Sequence, residues 1–234
     1  MAKNQKTGKF IVIDGIDGSG KGTQTTLLVK KLKKLGVPVK TIDFPQYYKN
    51  FFGELLGEYL AGEYGDFTQV DPRVASVLYA ADRFESSQQI KSWLDAGYNV
   101  VADRYVSANQ IHQGGKIADS KERKEFMAWL AKMEYQIFQI PKPSLVIYLD
   151  VPFEVSKEWL KQKIAKIKKK YLKGRQDVAE ENLTYLKNSR QSALMLVEEN
   201  KNWRKIECCQ GMTCLPVEAV HERVFAIAQE HLNK

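Results

Sequence analysis

"FIVIDGIDGSGKGTQTTLL", residues 10–28, sets a short apolar strand against a glycine-rich loop and the start of a helix. Gly15, four further residues, Gly20 and Lys21 fit the pattern G-x-x-x-x-G-K. In that pattern curled backbone N–H groups cradle phosphate oxygens, and the lysine reaches the β and γ groups. The positive end of the following helix adds to the field. Gly15, Ile16, Asp17, Gly18, Ser19, Gly20, Lys21, Gly22 and Thr23 are therefore the expected ATP-binding residues. After the lysine, where the common form has Ser or Thr, stands Gly22, with Thr23 one step later. The Thr23 hydroxyl is expected to face either a phosphate or a magnesium-bound water. Asp17 places an acid beside polyphosphate, which demands a compensating cation. It either orients Mg2+ or the accepting phosphate, or simply forms the turn before Gly18.

Working outward, four more β-branched or apolar runs read as strands: 37–44, 99–103, 144–150 and 204–209. Stretches of helical periodicity separate them: 21–35, about 70–95, 121–139, about 152–171, 178–200 and 216–232. This alternation predicts βαβ units and a three-layer α/β/α fold around a five-stranded parallel sheet. A polar tail, 1–9, precedes a single domain, 10–234. No apolar run approaches a membrane span, and "MAKNQKTGK" lacks the apolar segment of a signal peptide. A cytoplasmic protein without a membrane partner is expected. Cys208, Cys209 and Cys214 have neither zinc nor C-x-x-C spacing and are expected to be reduced, mostly buried thiols. The three histidines are scattered and suggest no metal site. The net charge of +8 favours anionic partners, a small polyanionic metabolite as readily as nucleic acid.

Ligands of open α/β sheets bind at the carboxyl ends of the strands. Three such ends carry signals: the glycine loop, "PQYY" (45–48) and "RY" (104–105). "DRYVSAN" (103–109), with "GIDGSGKGT" (15–23) and "DFPQY" (43–47), resembles the thymidylate kinases, which phosphorylate dTMP with ATP. The resemblance runs from about Phe10 to the C-terminus, with the motifs concentrated before Gln110. It implies a P-loop kinase fold with a helical lid, ATP and dTMP as substrates, Mg2+ as cofactor and a homodimer.

The resemblance also implies residue roles. Arg104 matches the arginine that reaches both acceptor and donor phosphates, a task suited to a planar guanidinium. With Lys21, Asp17 and a lid cation it forms the expected catalytic set. Asn109 matches the reader of the thymine edge, its amide accepting from ring N3–H. Tyr79 and Arg83, one helical turn apart, match a ring stacked on thymine and a donor to its O4; in isolation they read as a core aromatic and a surface arginine. Phe44, Pro45 and Tyr47 match a wall beside the sugar, and Tyr47 or His112 could crowd a ribose 2′-OH. Gln46 departs from the pattern, replacing an arginine that grips the substrate phosphate, so Lys49 or Arg104 is expected to compensate.

"KQKIAKIKKKYLKGRQD" (161–177) reads in isolation as a solvated helix face or a nucleic-acid contact. The resemblance makes it part of a lid, about 161–180, closing over ATP. Ser19 in the phosphate loop implies the class that uses basic lid residues, with Arg175 as preferred lid cation and Lys170 as second choice. Phosphoryl transfer from ATP to dTMP is the expected activity. Other pyrimidine nucleotide or deoxynucleoside kinases, or a P-loop module binding nucleic acid, are the alternatives.

Overall fold

In β1 (Phe10–Asp14) every residue is buried, and its side chains divide between two apolar clusters: Phe10 and Val12 join one, Ile11 and Ile13 the other. A strand buried on both faces belongs inside a sheet covered by helices on each side. The computed structural model describes residues 7–166 and 183–234, apart from the side chains of 68, 161–166 and 183. It has β1 at the centre of a five-stranded sheet. With β2 (Val39–Asp43), β3 (Asn99–Asp103), β4 (Leu145–Asp150) and β5 (Trp203–Glu207), the order is β2-β3-β1-β4-β5. All four pairings are parallel, and Ile13 lies beside both Asp103 and Ile147. Asp103 in turn pairs with Asp43. The polar ends of three strands are thereby aligned on one edge.

One face is covered by α1 (Lys21–Lys34) and α8 (Val217–Asn233). Leu28 and Leu32 of α1, and Val220, Val224 and Ala228 of α8, recur every fourth residue and meet Ile11, Ile13 and Ile147. The other face takes Ile90 of α3 (Pro72–Asp95), Val106 and Ile111 of α4 (Val106–His112), Phe126 and Leu130 of α5 (Ser120–Ala131), and Ala193 and Leu196 of α7 (Leu183–Glu199). Truncating a wholly buried central residue such as Ile13 to Ala would cost about 2–5 kcal/mol. Helix α2 (Phe51–Leu60) packs on α3, and α6 (Phe153–Lys166) on α7. The long α3 starts where Asp71 accepts from the N–H groups of Arg73 (2.8 Å) and Val74 (3.3 Å), with Pro72 in its first turn.

The expected α/β/α architecture holds, with three local differences. Helices α2 and α4 were not anticipated, because both are short and amphipathic signals need length. The stretch read as one helix over 121–139 is α5 followed by a π-helical turn, Lys132–Ile137. The fifth strand stops at Glu207; the chain then doubles back in a hairpin, β6 (Cys209–Gln210) and β7 (Thr213–Cys214), turned at Gly211 with φ 56°. That hairpin sets Cys209 opposite Cys214, and the two form a disulfide. The expectation of three reduced thiols is corrected: Cys208 alone is a free, buried thiol. Among the described residues no helix is long and apolar enough to cross a membrane. The lid cations Lys170 and Arg175 lie outside the described residues.

Candidate active site

The phosphate loop runs from the end of β1 to the start of α1. Gly20, the N-cap of α1, has φ 86°, a left-handed conformation that glycine adopts without Cβ strain. Lys21 folds back over the loop, its Nζ donating to the Ile16 carbonyl (3.1 Å) and lying 3.7 Å from Asp17 Oδ1. The same Asp17 carboxylate is ion-paired with Arg104 from the end of β3. Burial and the neighbouring Arg104 pull the Lys21 ammonium below its usual pKa, with Asp17 opposing. Burial also works against charge on Arg104, but Asp17, Asp14 and Asp103 together hold it above its ordinary value. Two cations thus converge on one acid at the mouth of a helix N-terminus, an arrangement that suits a dianionic phosphate.

Arg104 has φ 66°, the left-handed region, at a cost of roughly 1–2 kcal/mol for a non-glycine residue. The strained turn aims its side chain across to the phosphate loop, and its N–H is fixed to the Ile13 carbonyl at 3.0 Å. Arg104 Nη1 lies 3.0 Å from His112 Nε2. Burial, and then Arg104, push the His112 pKa down to about 3. The neutral ring therefore accepts at Nε2, and it stacks on Tyr185 with centroids 5.8 Å apart.

Gly22 now has a physical reason. A Cβ at this position would sit 3.0 Å from Asp103 Oδ2, so Ser or Thr would crowd that carboxylate. Asp103 is thereby held against the junction of loop and helix. Among the described residues no group of three or more His, Cys, Asp or Glu is arranged to hold a metal.

At the far end of the same cleft, Tyr79 and Arg83 project from α3 and Asn109 from α4. The rings of Tyr79 and Phe67 pack in a T-shaped pair, 5.6 Å between centroids. Arg83 is not the surface arginine its isolated spacing suggests, being only 1% exposed. Its Nε donates to Glu134 Oε2 at 2.8 Å, and Nη2 pairs with Glu134 Oε1. Burial disfavours its charge, but Glu134, with Asp82 adding to it, holds the guanidinium pKa above its ordinary value. Asn109 Nδ2 lies 3.2 Å from the Ser76 carbonyl and 3.3 Å from Glu134 Oε1.

Phe44, Pro45 and Tyr47 line the cleft between these ends; the Phe44–Pro45 peptide is cis. Gln46 turns away. Its Nε2 bonds Asp43, and its N–H is held by the Asp82 carboxylate at 3.2 and 3.3 Å. Lys49 is exposed and paired with Asp43 at 3.1 Å, and it stands outside the cleft lining. Arg104, the other cation named for that task, lines the cleft.

The cleft leaves Gln46 and Lys49 outside; it has a volume of about 890 Å³ and is lined by every expected ATP-binding, catalytic and substrate-binding residue within the described regions except Gly15 and Ile16. Those two shape the loop from behind: Gly15 N–H bonds Asp14 Oδ1 at 2.8 Å, and Ile16 is wholly buried. Sequence reading missed Asp103, His112 as the partner of Arg104, and an apolar end made by Trp159, Cys208, Leu215, Val217 and Val220. There Gln24 Nε2 donates to the Val217 carbonyl at 3.0 Å. The missed signal was the carboxyl end of the fifth strand, which obeys the same rule as the other three.

A family model described as Thymidylate kinase matches residues 13–224. The thymidylate kinase of Plasmodium falciparum (isolate 3D7) is 34% identical over 152 residues, 65% of this chain and 66% of that protein. A probable thymidylate kinase of Thermococcus onnurineus (strain NA1) is 30% identical over 230 residues, 96% of this chain and 99% of that protein. The solved structure of thymidylate kinase from Candida albicans superposes with a TM-score of 0.71 at 24% identity, covering 96% of this chain and 92% of that one, a likeness of fold.

Proposed function

The chain belongs to the thymidylate kinase family, and on that premise we propose that it transfers the γ-phosphoryl group of ATP to dTMP, giving dTDP and ADP. One observation carries the reading: a phosphate loop with two cations and a paired amide and guanidinium occupy opposite ends of a single cleft. Phosphoryl transfer needs alignment and charge neutralisation more than covalent chemistry. Lys21 and the loop N–H groups bind the ATP phosphates, and Gln24 and the apolar end take the adenine. Asp17 holds Lys21 and Arg104 in place until phosphate oxygens replace it. Arg104, steadied by His112, then bridges donor and acceptor. The dTMP phosphate is anionic near neutral pH and attacks without a dedicated base.

Mg2+ entering with ATP, when bound, would neutralise phosphate charge. Such an ion would call for one or two protein carboxylates rather than a full protein cage. Asp17 or Asp103, both lining the cleft at the loop, fits that donor set together with Thr23. The lid cation Arg175 belongs to the same reading. So does a homodimer, supported by Val74, Val77 and Phe84, which expose an apolar stripe along α3. Light scattering should give twice the chain mass, and Phe84→Glu should halve it. The cytoplasmic location is retained with the substrates; the Cys209–Cys214 disulfide is the observation that bears against it.

ADP release measured across nucleoside monophosphates tests the activity. Turnover of dTMP should far exceed that of dCMP or dAMP; comparable rates for all three would refute the reading.

A further inference from the structure

Behind the base end of the cleft, Glu134 is wholly buried in the π-helical turn. It touches both Arg83 and Asn109 while standing outside the cleft lining. Asparagine's oxygen and nitrogen ends can exchange places by rotating the amide, so its role as a reader depends on what fixes it. Here both neighbours of Nδ2, the Ser76 carbonyl at 3.2 Å and Glu134 Oε1 at 3.3 Å, can only accept. The opposite rotamer would press Oδ1 against a carbonyl and a carboxylate. The amino end is therefore turned inward, and Oδ1 is left for the cleft. Glu134 also takes the Nε and Nη2 donors of Arg83, while Nη1 lies 3.5 Å from the Tyr105 carbonyl. A guanidinium has five N–H groups, so two remain to face a ligand.

We propose that Glu134 is a positioning residue for base selection: it locks Asn109 with its oxygen, and Arg83 with its N–H groups, toward the bound base. An acceptor beside a donor complements a ring that offers N3–H next to a 4-keto oxygen. It opposes a ring with a bare N3 next to a 4-amino group at both positions. Buried donor–acceptor mismatches are what give a site sharp discrimination. The inference rests on the dTMP reading above and assigns its specificity to a residue that never meets the substrate. The π-helical turn supplies the geometry, since its wider winding inserts a residue and redirects side chains.

Glu134→Gln keeps the volume and removes the charge. Its amide nitrogen would face either Arg83 Nε or, at the other oxygen's place, Arg83 Nη2 and Asn109 Nδ2. The lock on Arg83 is lost in both cases, and that on Asn109 in the second. The kcat/KM ratio of dTMP over dCMP should narrow by at least about tenfold, through a higher KM for dTMP, with the KM for ATP unchanged. A folded variant that keeps the wild-type ratio would overturn the proposal while leaving the kinase reading intact. A wild-type enzyme indifferent to dTMP and dCMP would instead sink the reading itself. Should the variant lack a cooperative melt, the wild-type protein decides the matter. Both side-chain amide protons of Asn109 should exchange slowly with solvent in nitrogen-15 spectra, and rapid exchange would mean that the amino end faces the cleft.

Discussion

Asp82 offers a test whose size follows from its surroundings. It is wholly buried on α3 and accepts from the Gln46 N–H at 3.2 and 3.3 Å and from Asn50 Nδ2 at 2.8 Å. It thus clamps the segment whose neighbours Phe44, Pro45 and Tyr47 form the cleft wall. Burial is the largest influence on its carboxyl and lifts the pKa from 3.8 to about 6, despite these hydrogen bonds and Arg83. The folded state therefore holds a proton that the unfolded chain has released between those two values. Raising the pH through that window removes stability, and above about pH 6 the folded state carries a cost of about 3 kcal/mol for keeping the carboxylate charged. Asp82→Asn abolishes the titration and keeps one acceptor oxygen. The stability of the variant minus that of the wild type should therefore grow by up to about 3 kcal/mol between roughly pH 4 and pH 7. Urea unfolding followed by circular dichroism at fixed ionic strength measures it. A difference that stays constant across the range would refute the burial argument.

Arg104→Ala and Arg104→Gly should both lower kcat by about a thousandfold or more. The glycine variant should be the more stable by about 1 kcal/mol, because φ 66° no longer strains it, as melting curves would register. Gly22→Ser should crowd Asp103 and lower kcat/KM for ATP by roughly tenfold, with the melting temperature little changed; full activity would remove the explanation offered for that glycine. Arg175→Ala should depress kcat while sparing the KM for dTMP, and untouched turnover would move the lid role to another residue such as Lys170.

The layered fold was legible because it rests on local signals: five strands alternate with helical periods, and the strand–loop–helix of residues 10–28 fixes where phosphate goes. Asp17 and Lys21 were legible for the same reason, whereas Arg104 and Asn109 were singled out only through the family resemblance of 103–109. Groups acting across the chain were hidden. Glu134 lies 51 positions from Arg83 and inside a π-helical turn that no simple period encodes. Gln46 looked like a weakened phosphate ligand, yet Asp82, 36 positions away, ties its backbone while Asp43 takes its side chain. The cysteine pairing depended on a hairpin only a few residues long, too short for an alternating pattern to announce it. His112 had no sequence signal for its contact with Arg104, although the two are only eight residues apart.

A crystal structure with dTMP and ADP bound tests the central claim most directly. The thymine edge should meet Asn109 Oδ1 through N3–H and Arg83 through O4, with Tyr79 against the ring face. The 5′-phosphate should lie at Arg104, pointing to the loop that holds ADP. A dTMP molecule seated with its base away from Asn109 and Arg83 would contradict the account.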